Sequence, residues 1–494
     1  MRAKTPNERI IFGLKVKQLR QAQQKSFADL SAQTGMSVSY LNEIEKGKKY
    51  PKADKVAILA AKLNTTAAEL TSGELGRHLA PVQRLLRSNF LNDLPLELFG
   101  IELNKVAEII ANSPAQVGAF ISTLLELSRT HSVHEENFYF GALRSYLELH
   151  NNYFQEIEDA VVAFCEKYNI SADRPLGPRQ LATLLENNFK YTIVPEGLDH
   201  ESDLKSFRSV FIPERRHLLL NSKLKSYQRA FQFGKELAFN AMQLKERAPT
   251  SRLLRVRSFE EVLNHSKATY FSVALLMPLE PFIEDVRHFF ALPHWDAQAW
   301  EQIMQRYNAT PEMFYHRLTN IMPQFLGMSK LFFLRFLHDP AQDEFSIDRE
   351  LHLSDSHHPH GNALYEHYCR RWVSVALLKD LKGELAKQGD VASLISVQRS
   401  RYYGTSDEYL CITIARPGYP SPKYNVSVTL GLLINDDVRK QVKWLEDPKI
   451  PFREVNTTCE RCPIMDCAER AAEPSVVNKR ERYRKIQEAL IALE

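Results

Sequence analysis

No apolar run in this 494-residue sequence approaches the length needed to cross a bilayer, and the opening Met-Arg-Ala-Lys-Thr-Pro lacks the apolar segment of a secretory signal. Cysteine is scarce, six in all, with three crowded between positions 459 and 467. So few thiols in so long a chain exclude a secreted disulfide framework. Neither sign of charge dominates, at 64 Lys+Arg against 60 Asp+Glu. These absences point to a cytoplasmic protein. What is present is ordinary globular composition, 44% hydrophobic and 25% charged, over a length that suits roughly three domains.

The near-balance of charge hides an asymmetry. Residues 1–70 carry 13 Lys+Arg and 6 Asp+Glu, a net of +7, while the rest of the chain sums to −3. A basic module on a nearly neutral body is the footprint of an electrostatic partner such as nucleic acid. The pattern inside the module is more specific. Ile10, Leu14, Val16 and Leu19 predict a first amphipathic helix. Ser26 to Gly35 reads as an N-capped helix closed by glycine, and Ser37 caps a third helix, Val38 to Lys46. That helix turns Leu41 and Ile44 inward and Val38, Ser39, Asn42 and Glu43 outward; a fourth follows from Lys55 to Leu63. This is the order of a helix-turn-helix, with the third helix placed for a major groove. The candidate DNA-contacting set is Ser37, Val38, Ser39, Asn42, Glu43, Lys46, Lys48 and Lys49.

Between Asn137 and Tyr168 there is no proline and one glycine, and two heptad positions are apolar or aromatic apart from His150. The spacing predicts one long helix whose seam serves either as a dimer contact or as part of a core. Short β-branched and aromatic runs at Tyr191–Pro195, Phe207–Pro213 and Arg216–Asn221 predict a small sheet. A helix-like run from Gln228 to Gln243 follows, then Ala268-Thr-Tyr-Phe-Ser-Val-Ala-Leu-Leu-Met-Pro278.

This pair of segments resembles the ImmA/IrrE zinc-peptidase domain, in which an HExxH helix precedes an A-x-x-F-A-x-x-L-L-M-P helix. HExxH works because two histidines one turn apart grip Zn²⁺ while the glutamate acts as general base. The chain has Lys235, Glu236 and Phe239 at those positions. An ammonium repels a dication and a phenyl ring has no lone pair, so the metal site is lost. Arg229 and Lys235 then read either as a solvated face or as groups that meet an anionic ligand in the vacated pocket.

Lys330 to Leu337 predicts a buried strand, and His352, His357, His358 and His360 read as a polar loop rather than a metal site. Further strands are expected at Tyr409–Ala415 and Tyr424–Leu433, and a last helix at Val476–Leu493. Cys459, Cys462 and Cys467 lie within nine positions and can converge on one centre; a fourth thiolate would complete either an iron–sulfur cluster or a structural zinc.

Residues 39–47, Ser-Tyr-Leu-Asn-Glu-Ile-Glu-Lys-Gly, resemble lambda-repressor-like (XRE) DNA readers, in which Val38, Ser39 and Asn42 would meet base edges and Lys46, Lys48 and Lys49 phosphates. Together with 229–238, 270–278, Cys369-Arg-Arg-Trp372 and the Cys-rich segment 459–474, nearly the whole chain resembles the short-chain fatty acyl-CoA transcriptional regulators. The resemblance implies a mainly α fold with α+β portions: a helix-turn-helix (1–72), a helical linker or oligomerisation region (73–175), a degenerate zincin-like domain (176–350) and a Cys-rich α+β domain (351–494). It also implies a homo-oligomer that binds double-stranded DNA and senses CoA or a short acyl-CoA. Arg229, Lys235, Phe239, Tyr270 and Phe271 are the candidate effector contacts. Cys369 becomes the fourth ligand beside Cys459, Cys462 and Cys467, and the resemblance favours [4Fe–4S] over zinc. The competing function is a zinc metallopeptidase that cleaves a partner repressor.

Overall fold

The computed structural model describes residues 6–72, 135–171, 176–250, 256–353, 366–388, 393–419 and 423–493. They divide into two compact units, one running to Tyr146 and taking in the short piece that ends at Glu260, the other from Leu147 onward.

The first unit opens with α1 (Pro6–Ala22), α2 (Phe27–Thr34), α3 (Val38–Glu45), α4 (Ala53–Lys62) and α5 (Ala67–Thr71). Local chemistry sets the boundaries. Ser26 and Asp29 form a reciprocal capping box at α2, Gly35 ends that helix at φ 69°, and the Ser37 hydroxyl accepts the Tyr40 amide at the start of α3. Phe12, Val16, Leu30, Leu41, Ile44, Leu59 and Leu63 make the core. Gly47 is required twice over: its φ is 67°, and a Cβ there would come within 2.8 Å of Ile10.

The expected continuous helix over 137–168 is two helices, α6 (Glu135–Leu149) and α7 (Gln155–Lys167). Asn151 and Asn152 between them take φ 50° and 53°, and the buried Asn152 amide donates to Thr319 Oγ1 at 2.9 Å. Such a turn breaks the heptad seam. Phe154 and Phe164 instead set their rings against Tyr270 and Phe271 at 5.9 and 5.7 Å, so this half of the seam is core.

After α8 (Pro178–Phe189), β1 (Thr192–Val194), β2 (Ser209–Ile212) and β3 (His217–Leu220) form the small sheet in the order β1-β3-β2. Five helices follow: α9 (Ser226–Ala241), α10 (Phe259–Leu276), α11 (Leu279–Phe290), α12 (Ala297–Arg306) and α13 (Pro311–Phe325). Helices α9 and α10 touch closely at Gly234, where an added Cβ would lie 2.4 Å from Ser272 Oγ.

The larger sheet corrects the expected domain boundary at 350. Strands β4 (Leu331–Asp339) and β5 (Glu344–His352) join β6 (Leu394–Tyr402), β7 (Glu408–Pro417), β8 (Asn425–Leu433) and β9 (Phe452–Val455) in the order β5-β4-β8-β7-β6-β9. Helix α14 (Val373–Gln388) buries one face, where Cys411, Tyr409 and Trp372 share a core. The other face meets α13 through Glu312, which binds Arg335 of β4 and Arg416 of β7. Helix α15 (Asp436–Gln441) precedes β9, and α16 (Ser475–Ile491) follows the Cys-rich loop. His352 ends β5; His357, His358 and His360 lie outside the described residues.

Candidate functional site

Helix α3 presents the surface a DNA reader needs. Ser37, Val38, Ser39, Lys46, Lys48 and Lys49 are exposed, Val38 at 47%, while Leu41 and Ile44 are fully buried. Asn42 is half-buried at the same face. Glu43 pairs with Lys49 at 2.8 Å, so its carboxylate is already engaged and weakens that lysine as a phosphate contact. Beneath this face, Glu45 takes a two-pronged ion pair from Arg20 of α1 at 2.6 and 2.9 Å, which fixes the tilt of α3. The Arg20 partner was not apparent in the sequence, because 25 residues separate the pair.

In the second unit, α9 carries the residues standing where HExxH would be. Glu236 is buried and clamped by Arg247 through two bonds, Nη1 to Oε2 at 2.8 Å and Nη2 to Oε1 at 2.7 Å. The Arg247 guanidinium lies 4.1 Å from the ring centres of both Phe211 and Phe239. A planar cation held between two aromatic faces thus neutralises the carboxylate at the second position of the former motif. Tyr191 donates to Glu236 at 3.1 Å, and burial beside that carboxylate pushes the phenol up to about 12.

His265 faces Phe239 edge-on at 5.2 Å, but its Nε2 accepts the Ala248 amide at 3.0 Å. Burial, with Lys235 and Arg247 nearby, lowers its pKa to about 3. The residues therefore do not fit zinc: one candidate ligand is a phenyl, one an ammonium, the carboxylate is held by arginine and the nearby imidazole lone pair is engaged.

Lys235 belongs to a different arrangement. It is buried, and its pKa falls to about 8 chiefly through desolvation; Glu236 pulls the other way, and Arg349, Arg247 and Arg208 lower it further. Arg208, half-buried just before β2, is lowered to about 10 by burial together with Arg335, Arg349 and Arg416, against Glu312. Glu312 anchors this group: Arg416 reaches it at 2.8 and 2.9 Å and Arg335 at 3.2 Å. Burial alone would raise the Glu312 carboxyl, but those arginines hold it far below the usual carboxylate range. Arg335 also pairs with Asp348. Arg349 on β5 is exposed, so this basic cluster reaches solvent there. His316 on α13 stays neutral at its edge, lowered to about 4 by burial and by Arg349 and Arg317. Arg208, Arg349 and Arg247 were not singled out in the sequence; each is isolated in its segment and gains meaning only when the sheets and α9 come together.

The remaining expected effector residues are placed elsewhere. Arg229 donates to the carbonyls of Leu224 and Ser222 at 3.1 and 3.0 Å, clamping the loop before α9. Tyr270 and Phe271 are 2% and 0% exposed. The Tyr270 hydroxyl donates to Glu158, itself paired with the fully buried Arg317. These two aromatics form core between α7 and α10 rather than a ligand wall; Phe239 alone of the three borders the former metal position.

The Cys-rich loop is tied to the segment before α14. Tyr368 and Thr458 form an antiparallel bridge, the Cys369 amide donates to Thr457 O at 3.1 Å, and the Cys459 amide donates to His367 O at 2.8 Å. Cys369 and Cys459 are thereby brought together. The Cys369 thiol is raised to about 11, chiefly by burial, with Cys459 and Cys462 adding to it. Burial also raises Cys462, and Cys467 and Cys459 push the same way. Arg470 donates to the carbonyls of Cys459, Cys462 and Ile464 at 2.7, 3.0 and 2.6 Å and so shapes the loop, while its charge opposes the rise at Cys462. Arg461 is taken by Glu366. The four thiols suit a soft metal centre in chemistry. Among the described residues, however, no three Cys, His, Asp or Glu side chains stand close enough to hold an ion as placed. Cys411 packs on β7 inside the apolar core.

Comparison with known proteins agrees with this division. Residues 11–72 match a helix-turn-helix domain family, and residues 193–319 match the IrrE N-terminal-like domain. A propionyl-CoA carboxylase regulator of Cereibacter sphaeroides is 25% identical over 350 residues, covering 66% of this chain and 68% of that protein. A solved Mycobacterium tuberculosis transcriptional regulator aligns over 67% of this chain and 93% of its own, at 18% identity and a TM-score of 0.48. The chain combines an XRE-type DNA-binding domain with an IrrE-like domain. No helix among the described residues is long and apolar enough to cross a membrane.

Proposed function

We propose that this helix-turn-helix regulator is a cytoplasmic homo-oligomer whose IrrE-like domain has exchanged peptidase chemistry for recognition of an anionic effector, CoA or a short acyl-CoA. The observation that carries this reading is Lys235, a buried lysine where a zinc-binding histidine would stand, set among Arg208, Arg247 and Arg349. A buried cation whose charge is disfavoured by desolvation gains most from a bound anion. CoA supplies phosphates for the basin, and the similar regulator named for propionyl-CoA carboxylase supports a short acyl-CoA. Phosphates would meet Lys235, Arg208 and Arg349, with Arg349 at the open side.

Cys369, Cys459, Cys462 and Cys467 would hold a [4Fe–4S] cluster, or a structural zinc if the loop closes as a tetrathiolate. A bound cluster would give the regulator a redox or oxygen input. The chain's own part is to set Cys369 beside Cys459 and to shape the loop with Arg470.

Titration calorimetry with CoA, acetyl-CoA and propionyl-CoA tests the effector. Binding is expected for the wild type and a loss of tenfold or more for Lys235→Ala with the fold intact. No heat with any of the three ligands would remove the effector assignment. Zinc-dependent proteolysis abolished by Glu236→Gln would overturn the non-peptidase reading.

A further inference from the structure

Among the described residues, helix α16 is held to the rest of the chain only at its start, where the Val476 and Val477 amides approach Glu460 O at 3.1 and 3.4 Å. None of its 17 residues is buried. Tyr483, Ile486 and Leu490 are 58%, 45% and 59% exposed, and Leu493 just beyond is 84% exposed. An isolated helix of this length is only marginally stable in water, so the apolar face calls for a cover. Among the described residues nothing in the chain provides one.

The spacing identifies the cover. Val476, Tyr483 and Leu490 fall on one heptad position and Lys479, Ile486 and Leu493 on the other, giving a seam along one side of the helix. Glu481, Arg484, Lys485 and Glu488 lie on the opposite side, with Arg484 and Glu488 paired at 3.6 Å.

We propose that α16 is a self-association helix that pairs antiparallel with the same helix of a second copy of this chain. In that register Val476 meets the partner subunit's Leu493, Tyr483 meets the partner's Ile486, and Lys479 lays its aliphatic stem against the partner's Leu490. The flanking positions agree: Arg480 falls opposite the partner's Gln487 and Arg482 opposite the partner's Ala489, so no like charges face each other. A parallel pairing would set Lys479 against its own copy at the centre of the seam, which the antiparallel one avoids. The idea rests on the homo-oligomeric reading above and locates its contact. Because α16 starts on the Glu460 carbonyl, it is also mechanically joined to the thiol loop.

The test uses the full chain in sedimentation equilibrium. Wild type and the outer-face control Glu488→Gln are expected as dimers, and Ile486→Asp with Leu490→Asp should weaken dimerisation at least 100-fold. Since those side chains are exposed and none of the helix is buried in its own chain, the near-ultraviolet circular dichroism of the folded domains should not change, any loss being confined to the far-ultraviolet signal of α16, which separates lost association from lost folding. A double variant that stays dimeric places the contact elsewhere and overturns this proposal while the homo-oligomeric reading stands. A wild type that is monomeric at tens of micromolar overturns both. Benzoylphenylalanine in place of Leu490 should photocrosslink to residues 476–483 of the other copy; a crosslink back to position 490 overturns the antiparallel register. Monomeric wild type that pellets with anionic lipid vesicles would assign the helix to a membrane surface instead.

Discussion

At the scale of single residues, the feature that sets α9 apart is the clamp of Arg247 on Glu236. Its two bonds to Glu236 and its position between Phe211 and Phe239 make a buried, hydrogen-bonded ion pair. Removing one partner strands the other, at a cost of about 3–5 kcal/mol. Arg247→Ala should lower the urea midpoint accordingly, and an unchanged midpoint would show that the pair is not formed. His265 gives a pH signature. Its folded pKa of about 3 lies below its ordinary value of 6.5, so the folded state binds fewer protons and its contribution is fully present above pH 6.5. That contribution declines as pH falls from about 6.5 toward about 3. Stability measured from pH 7 to pH 5 should therefore drop less in His265→Phe than in wild type; parallel slopes would contradict neutral burial. The loss of zinc ligands was legible at Lys235 and Phe239, because the chemistry of a ligand is local. Arg247 was not legible, since it reaches Glu236 across 11 residues and a loop without any periodic signal. Tyr270 and Phe271 misled for the opposite reason: an aromatic pair on a helix next to a pseudo-site looks like a wall, but burial places it in the core.

At the scale of elements, caps and periodicity carried the reading well. Ser26, Gly35, Ser37 and Gly47 mark α2 and α3 within one residue of where they lie. The long helix failed at Asn151 and Asn152, two residues that tolerate left-handed backbone and could have been read as a stop within the heptad pattern. Two tests belong here. Asn42→Ala should relax base preference at a cost of about 1–3 kcal/mol on the preferred site, whereas Lys48→Ala should weaken all sequences alike and reduce the salt slope by about 1. Anisotropy titrations at several salt concentrations distinguish them, and equal loss on preferred and random DNA for Asn42→Ala would contradict the role given to α3. The second concerns the α9–α10 contact. Gly234→Ala brings a methyl against Ser272 Oγ and should destabilise by about 1–3 kcal/mol, with Ser272→Ala restoring part of the loss. Additive losses would mean that the helices do not meet there.

At the scale of the whole molecule, the charge asymmetry and the order of segments announced a DNA reader followed by a degenerate IrrE-like domain. The boundary at 350 was misplaced because strand pairing is non-local: β4 adds to β8, nearly 100 residues away, and composition does not change across that distance. The basic basin shares this origin, since its members come from β2's approach, α9, β4, β5 and β7. Anaerobically purified protein is expected to be brown, with broad visible absorption that bleaches in air; colourless protein with stoichiometric zinc after attempted reconstitution would replace the cluster by a structural ion. The central claim is that an anionic effector at the basin alters DNA binding, and it is tested most directly by the affinity of the full chain for DNA selected from a random library, measured with and without saturating propionyl-CoA. The account predicts a change of fivefold or more for wild type, in either direction, and none for Lys235→Ala. An identical affinity with and without ligand, in wild-type protein that binds the DNA specifically, would contradict it.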